Sequence, residues 1–319
     1  MPYLIGTDEA GYGPRLGPLL ISLSLWQIDQ PSQQIDLYAK LNEMICRADE
    51  TGGGRLKIDD SKKLYQSGGS LRLLELPVLS LLETLHRPVE TWRDAWELLI
   101  GDVPAAIEEL PWYRDYEEQL PVDATRGEIS EFASGWNPFW QETGCELLAL
   151  RTKALFPSEL NREIETLDSK AEALTQATLR LIGDVIAPLP ADETLIVCDK
   201  HGGRNHYLPA LQRQFPEPWF GVVVESRQES RYQFAINDQQ AEICFRRQAE
   251  SFLPTALASL ASKYLRELAM RAFNRYWADR IENLKPTAGY PADAARFRGS
   301  IEPLCGESGL PLHTWWRMR

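Results

Sequence analysis

Apolar positions at the start of the chain repeat with a period of two. "YLIGTD" is a short apolar run that delivers Asp8 at its end, and "PLLISLSLWQI" sets Ile21, Leu23 and Leu25 against Leu20, Ser22 and Ser24. Both read as strands, because alternate side chains of a strand face opposite sides. Residues 32–48 carry helical spacing. A polar, glycine-containing loop follows, "DETGGGRLKIDDSKKL", whose Arg55, Lys57, Lys62 and Lys63 make it the most basic short stretch of the first third. The spacing turns helical again in "LRLLELPVLSLLETL".

From about residue 86 to 145 the character changes. Trp92, Trp96, Trp112, Trp136 and Trp140, half of the ten tryptophans, lie here among prolines and acids, which marks an insertion or small subdomain. Tryptophan is more often core than ligand-facing, so these five are assigned to a small hydrophobic centre or a protein-binding face rather than to substrate. "CELLALRTKALFP" resumes the sheet, and "SELNREIETLDSKAEALTQATLRLIGDVIAPL" has helical periodicity from a Ser158 cap to Pro188. "ETLIVCDKHGG" is a second apolar strand ending in an acid, Asp199, and "WFGVVVES", "RYQFAIN" and "AEICFRR" add three more. A long helix is expected from Pro254 to about Leu284, with loop and short helix beyond. Strands and helices mix without an internal repeat, which predicts an α/β or α+β fold around one sheet, an α/β mixed sheet flanked by helices being the form expected. A single domain spans 1–319, with 86–145 inserted and 268–319 a C-terminal helical extension.

Composition narrows the class. At 319 residues and 44% hydrophobic content the chain can bury a sizeable core. Cys46, Cys145, Cys198, Cys244 and Cys305 are far apart and form no C-x-x-C pair, which argues against a disulfide framework or zinc knuckle and fits a reducing cytoplasm. No apolar run approaches the roughly 18 residues that span a bilayer, so no membrane segment is expected. The net charge of −12 argues against a protein that coats nucleic acid nonspecifically, since that binding is mostly phosphate neutralisation by Lys and Arg. It is compatible with a carboxylate cluster that holds divalent cations beside a local basic stripe.

Asp8 and Asp199 each end an apolar run and precede a glycine-containing turn. Loops converge at strand ends, so two such aspartates on neighbouring strands would share one rim; equally, each can start a turn or cap a helix. Glu9, facing the other way from the strand, adds a further oxygen. Hard cations such as magnesium prefer carboxylates, and two ions about 4 Å apart can hold the attacking water and the leaving oxygen of a phosphodiester. That chemistry needs three or four acids from separate elements. The fourth candidate is Glu267, on a helix with an apolar stripe of Leu257, Leu260, Ala261, Tyr264 and Leu268. Lys263, Glu267 and Arg271, spaced by four, also fit a solvated salt-bridge ladder. Glu225, ending "VVVES", is the rival for the fourth place.

Taken in order, "GTDEAGYGPRLGPLLIS", "DSKKL", "LIVCDKHGG", "ASLASKYLREL", "GYP" and "HTWWR" resemble the landmarks of type 2 ribonucleases H (ribonuclease HII/HIII), over residues 1–64 and about 146–319. The resemblance implies a ribonuclease H-like fold and an endonuclease, dependent on Mg2+ or Mn2+, that cleaves RNA in RNA/DNA hybrids or at ribonucleotides embedded in DNA. It implies that Asp8, Glu9, Asp199 and Glu267 are the catalytic and metal-holding acids, Glu267 standing where the family usually has aspartate. Ser61, Lys62 and Lys63 match the basic loop that meets substrate phosphates, Lys263 lies in the late-helix motif, and Tyr290 matches a tyrosine that packs on the sugar beside the cleaved bond. Gly11 and Gly13 keep the backbone open to a ribose 2'-hydroxyl. The family's central arginine is replaced by Tyr12, with Arg15 two residues beyond Gly13.

Other candidates flank these motifs. His201 and His206 follow Asp199 as proton shuttles, transition-metal ligands or plain loop residues, with Arg204 the better phosphate contact. Arg227 and Arg231 fit either a backbone-binding rim or a solvated hairpin. The implied partner is nucleic acid, and the chain is expected to be a monomer. Two alternatives stand beside the nuclease: a noncatalytic nucleic-acid-binding relative, or a nuclease with a different substrate preference. A nucleotide-binding loop at "GYGPRLG" lacks both the G-x-x-x-x-G-K-[ST] pattern and a G-x-G-x-x-G that opens a clear helix.

Overall fold

The computed structural model describes residues 1–32, 35–236 and 239–318. Its strands are β1 (Tyr3–Ala10), β2 (Leu19–Ile28), β3 (Ile45–Cys46), β4 (Leu56–Lys57), β5 (Cys145–Leu155), β6 (Thr194–Asp199), β7 (Gly221–Glu225), β8 (Glu229–Ile236) and β9 (Gln239–Arg246). Seven of them form one mixed sheet in the order β5-β2-β1-β6-β9-β8-β7, and β3 pairs with β4 apart from it. β1, β6 and β9 are adjacent and parallel, so their carboxyl ends open on one edge. The flanking strands β2, β5, β8 and β7 join by antiparallel pairing. The α/β class and the mixed sheet between helices are as expected.

The period-two pattern of β2 sorts its side chains to two cores. Leu19, Ile21, Leu23 and Leu25 pack with Tyr3 and Ile5 under the helices Pro157–Leu167 and Lys170–Ile186. Leu20, Trp26 and Ile28 face the long helix Leu253–Ala278. Ser22 and Ser24 lie on that second face, where burying a hydroxyl without a partner would cost stability. Ser22 Oγ is 2.7 Å from Thr152 Oγ1 and 2.8 Å from Ser262 Oγ, and Ser24 Oγ donates to the Pro254 carbonyl. Gly6 makes the close approach of that helix possible: a Cβ there would fall 2.1 Å from Pro254 C and Thr255 N. Pro254 occupies the first turn of the helix, where its missing N–H costs nothing.

The tryptophan-rich segment has no hydrophobic centre of its own. Its five tryptophans are buried in the same core as the long helix, with Trp112 at 5.2 Å from the Phe273 ring and Trp96 at 5.8 Å from Phe156 at the end of β5. Large rings with apolar faces on both sides join whatever surface is nearest, and here that surface is the sheet's own helical layer.

Three local expectations change. Residues 32–48 form one helical turn, Leu37–Lys40, and the short strand β3, with residues 33 and 34 outside the described set. The periodic stretch from 158 to 188 is two helices, because Asp168 adopts φ 48° and Ser169 caps a new start through the Glu172 N–H. The long helix stops at Ala278, and the tail holds a 17-residue helix, Pro291–Glu307, rather than a short one. The five cysteines are buried and free. Among the described residues no helix is long and apolar enough to cross a membrane.

Candidate active site at the strand ends

The parallel trio β1, β6 and β9 decides where the acids meet. Asp8 and Glu9 lie near the end of β1 and Asp199 ends β6. After β9 the chain turns through Gln248, at φ 57°, into a single 3-10 turn, Ala249–Ser251, that carries Glu250. Three neighbouring strand ends thus present four carboxylates to one rim.

Their electrostatics show that they feel one another. Burial and the Glu9 carboxylate push the Asp8 acid well above its ordinary value, against a hydrogen bond from Ser259. Glu9 is pushed up to about 8 by burial and by Asp199, and Asp199 to about 6 by burial and by Glu250. Lys62 opposes this, holding Glu9 and Asp199 lower, with its Nζ 3.9 Å from Glu250 Oε1. Asp60 caps the turn Ser61–Leu64 that aims Lys62. Ser61 is buried and accepts from Ser259, so the Ser61 turn and Asp8 are tied to the same helical residue.

The structure separates Glu267 from this rim. Its carboxylate accepts from the Tyr65 hydroxyl at 2.8 Å and pairs with Lys263 at 2.6 Å, in a depression shared with Met270 and Asn274. It is not among the leading charges felt by Asp8, Glu9 or Asp199. Glu250, which pattern reading passed over, is the acid whose charge acts on Asp8, Glu9 and Asp199. The available signal was that Glu250, like Asp8 and Asp199, follows closely on an apolar strand. Glu225 is also elsewhere, bonded to the Tyr232 hydroxyl and to His206.

Other candidates divide in the same way. Lys63 is paired with Asp59 at 3.0 Å, Lys263 with Glu267, and Arg204 with Glu172 at 2.5 Å. His201 is buried, with Nδ1 at 3.0 Å from Thr175 Oγ1, and burial pulls its pKa down to about 3, so it is a neutral core residue. Tyr12 leans over Gly202, where an added Cβ would meet its hydroxyl at 3.0 Å, with Lys170 Nζ 5.0 Å from its ring. It packs partly against the core, as a rim aromatic does.

The glycine loop is held from behind by two buried arginines that sequence reading did not single out. Arg266 donates to the carbonyls of Pro18, Leu16 and Ala288. Arg317 donates to those of Gly11, Pro14 and Gly17. Arg15 is part of this wiring, donating to the Arg317 carbonyl and, through its N–H, to Gly289. Gly11 has φ 93°, and a Cβ there would lie 2.8 Å from Arg266 Nη1, so the loop needs glycine at this point. A side chain at Gly13 would meet the Tyr290 ring at 3.6 Å, which places the 57% exposed Tyr290 beside the loop.

Asp199 and Glu250 line a cleft of about 520 Å³, together with Lys62, Lys200, Arg227 and Arg247. Hard oxygen donors that repel one another, with Asp8, Glu9 and Asp199 raised by burial and by their acidic neighbours, suit a divalent cation, which would offset their repulsion. Among the described residues no three acid, histidine or cysteine side chains enclose a metal position as they stand. The fit is therefore one of donor chemistry and charge.

No protein-family model matches the chain, and no curated protein matches it by sequence. Among solved structures it is similar, over nearly its whole length, to ribonucleases HII and HIII. RNase HII of Archaeoglobus fulgidus, solved in a complex with PCNA, aligns at 13% identity and TM-score 0.41, covering 99% of this chain and 94% of that one. Ribonuclease H2 of Pyrococcus horikoshii OT3 aligns at 12% and TM-score 0.43, covering 98% and 92%. Bst-RNase HIII, solved with Mn2+, aligns at 15% and TM-score 0.42, and this chain spans 66% of its length. Likenesses this loose carry no residue role or activity across to this chain.

Proposed function

We propose that this protein is a metal-dependent endonuclease that hydrolyses RNA phosphodiester bonds in RNA/DNA hybrids or at ribonucleotides embedded in DNA. The observation that carries the reading is the convergence of Asp8, Glu9, Asp199 and Glu250 from the ends of three adjacent parallel strands, with their charge unbalanced. These four would hold Mg2+ or Mn2+, which when bound supplies an activated water and stabilises the departing 3'-oxygen.

The chain's own residues do the rest. Ser259 and Ser61 orient the Asp8 side of the rim, and Lys62 brings a positive charge to the point where a phosphate would arrive. Arg266 and Arg317 hold the loop through its carbonyls, and its small residues Gly11 and Gly13 would allow close approach to a ribose. Tyr290 offers an exposed ring beside Gly13 for packing on a sugar.

The test uses the full chain with labelled RNA/DNA hybrid, a duplex containing one ribonucleotide, and plain DNA, each with Mg2+ or Mn2+. Cleavage of the first two, lost in Asp199→Asn and in Glu250→Gln, is the expected result. Cleavage of plain DNA alone overturns the ribonuclease assignment and keeps the metal site. Binding without cleavage under every metal condition favours a noncatalytic relative.

A further inference from the structure

Most arginines near the acid rim already have partners. Arg204 is paired with Glu172, Arg231 with Glu229 and Glu242, and Arg246 reaches Ser251 Oγ and lies over the Phe252 ring. Arg227 and Arg247 differ. Both are exposed, neither guanidinium has a hydrogen bond or ion pair among the described residues, and both line the cleft that holds Asp199 and Glu250.

Their positions are nonetheless fixed. Arg227 sits in the turn between β7 and β8, where Ser226 N–H donates to the Glu229 carbonyl and Ser226 Oγ accepts from the N–H groups of Gln228 and Glu229. That turn is anchored to the acid rim by Lys200, the residue after Asp199. Lys200 Nζ donates to the Ser226 carbonyl at 2.6 Å and to Ser230 Oγ, Asn205 Oδ1 and the Arg204 carbonyl. Arg247 follows β9, and its N–H donates to the Gln228 carbonyl at 3.0 Å, which stitches the two turns together. Lys200 spends its charge on the frame. The two arginines keep theirs, on turns joined by the Arg247–Gln228 bond, in a chain of net charge −12.

Guanidinium groups displayed on ordered turns without an ion pair keep their donors free for an anion. We infer that Arg227 and Arg247 form a phosphate-binding extension of the acid rim, holding the sugar-phosphate backbone of a nucleic acid on the β7–β9 side of Asp199 and Glu250. The identity of the ligand rests on the nuclease reading of that rim. Contacts of this kind position a backbone and read no sequence.

The test measures binding of labelled RNA/DNA hybrid to the full chain in EDTA across a salt series, for wild type, Arg227→Glu/Arg247→Glu and Arg227→Lys/Arg247→Lys. Each lost phosphate contact flattens the slope of log K against log salt by about 0.9, so the charge-reversed variant is expected to lose roughly two such steps while the lysine variant keeps most of the slope. With divalent metal the loss appears mainly in KM. Both side chains are exposed and unpaired, so thermal midpoints stay at the wild-type value and exclude misfolding as the cause. An unchanged slope and KM in the charge-reversed variant overturns the inference. So does full competition by inorganic phosphate at matched ionic strength, which would mean that the cleft takes one phosphate and not a backbone. Wild-type binding with the expected slope but no cleavage overturns the nuclease reading alone, and absence of hybrid binding overturns both.

Discussion

Two carboxylate environments in this molecule are built in opposite ways. Glu75, on the helix Arg72–Leu85, is fully buried and accepts from the N–H groups of Val122, Asp123 and Ala124 and from the Tyr264 hydroxyl. Every oxygen has donors, and the carboxylate ties the tryptophan-rich segment to the helical layer. At the strand-end rim, Asp8, Glu9, Asp199 and Glu250 instead have one another as neighbours, opposed by Lys62. A satisfied buried charge holds a fold together, whereas an unsatisfied set costs stability and is kept where something else is to be bound.

The contrast is broken most directly at the rim. Asp199→Asn or Glu250→Gln is expected to lower divalent-dependent cleavage on the order of 10³-fold, while raising the thermal midpoint of the metal-free protein at pH 8, since each removes a repelling charge. Glu75→Ala should do the reverse. It strands three N–H groups, that of Ala124 buried and those of Val122 and Asp123 partly so, and costs about 3 kcal/mol, read by chemical denaturation, without altering metal dependence.

Titration sharpens the same point. Asp199 and Glu9 have folded-state values of about 6 and about 8, above the unfolded values of about 3.9 and 4.3. At these two groups the folded chain binds more protons than the unfolded one, so their contribution to the stability of the metal-free protein falls as pH rises from about 4 to about 8. Added Mg2+ should raise the thermal midpoint more at pH 8 than at pH 5, and equal shifts at both would contradict the rim as its site. The smallest effect is expected at Glu267→Gln. Removing its charge weakens an i,i+4 pair with Lys263 worth about 0.5 kcal/mol, and metal-dependent cleavage should persist.

Much of the sheet was legible because its strands are apolar runs bounded by acids, glycine and proline. β1, β2, β5 and β6 fall where apolar runs and, in β2, period-two alternation put them, and the acids Asp8, Glu9 and Asp199 meet because such runs end in loops at one edge. The long helix was legible from its apolar face, but the break at Asp168 was not, since a single positive φ leaves periodicity on both sides intact. Glu267 sits in a helical motif that reads well, yet its side chain points into a pairing with Tyr65 and Lys263.

Local pattern thus determined the class, the strands, the glycine loop and three of the four rim acids, because each depends on neighbours within a few residues. Tertiary structure alone decided the fourth acid, the pairing state of each cation and the buttressing of the loop by Arg266 and Arg317. Arg317 meets Gly11 across 306 positions of chain, and Glu250 joins Asp199 through the parallel pairing of β6 with β9. Such meetings are set by strand order and by which carbonyls a buried guanidinium can reach, and no spacing along the chain records either.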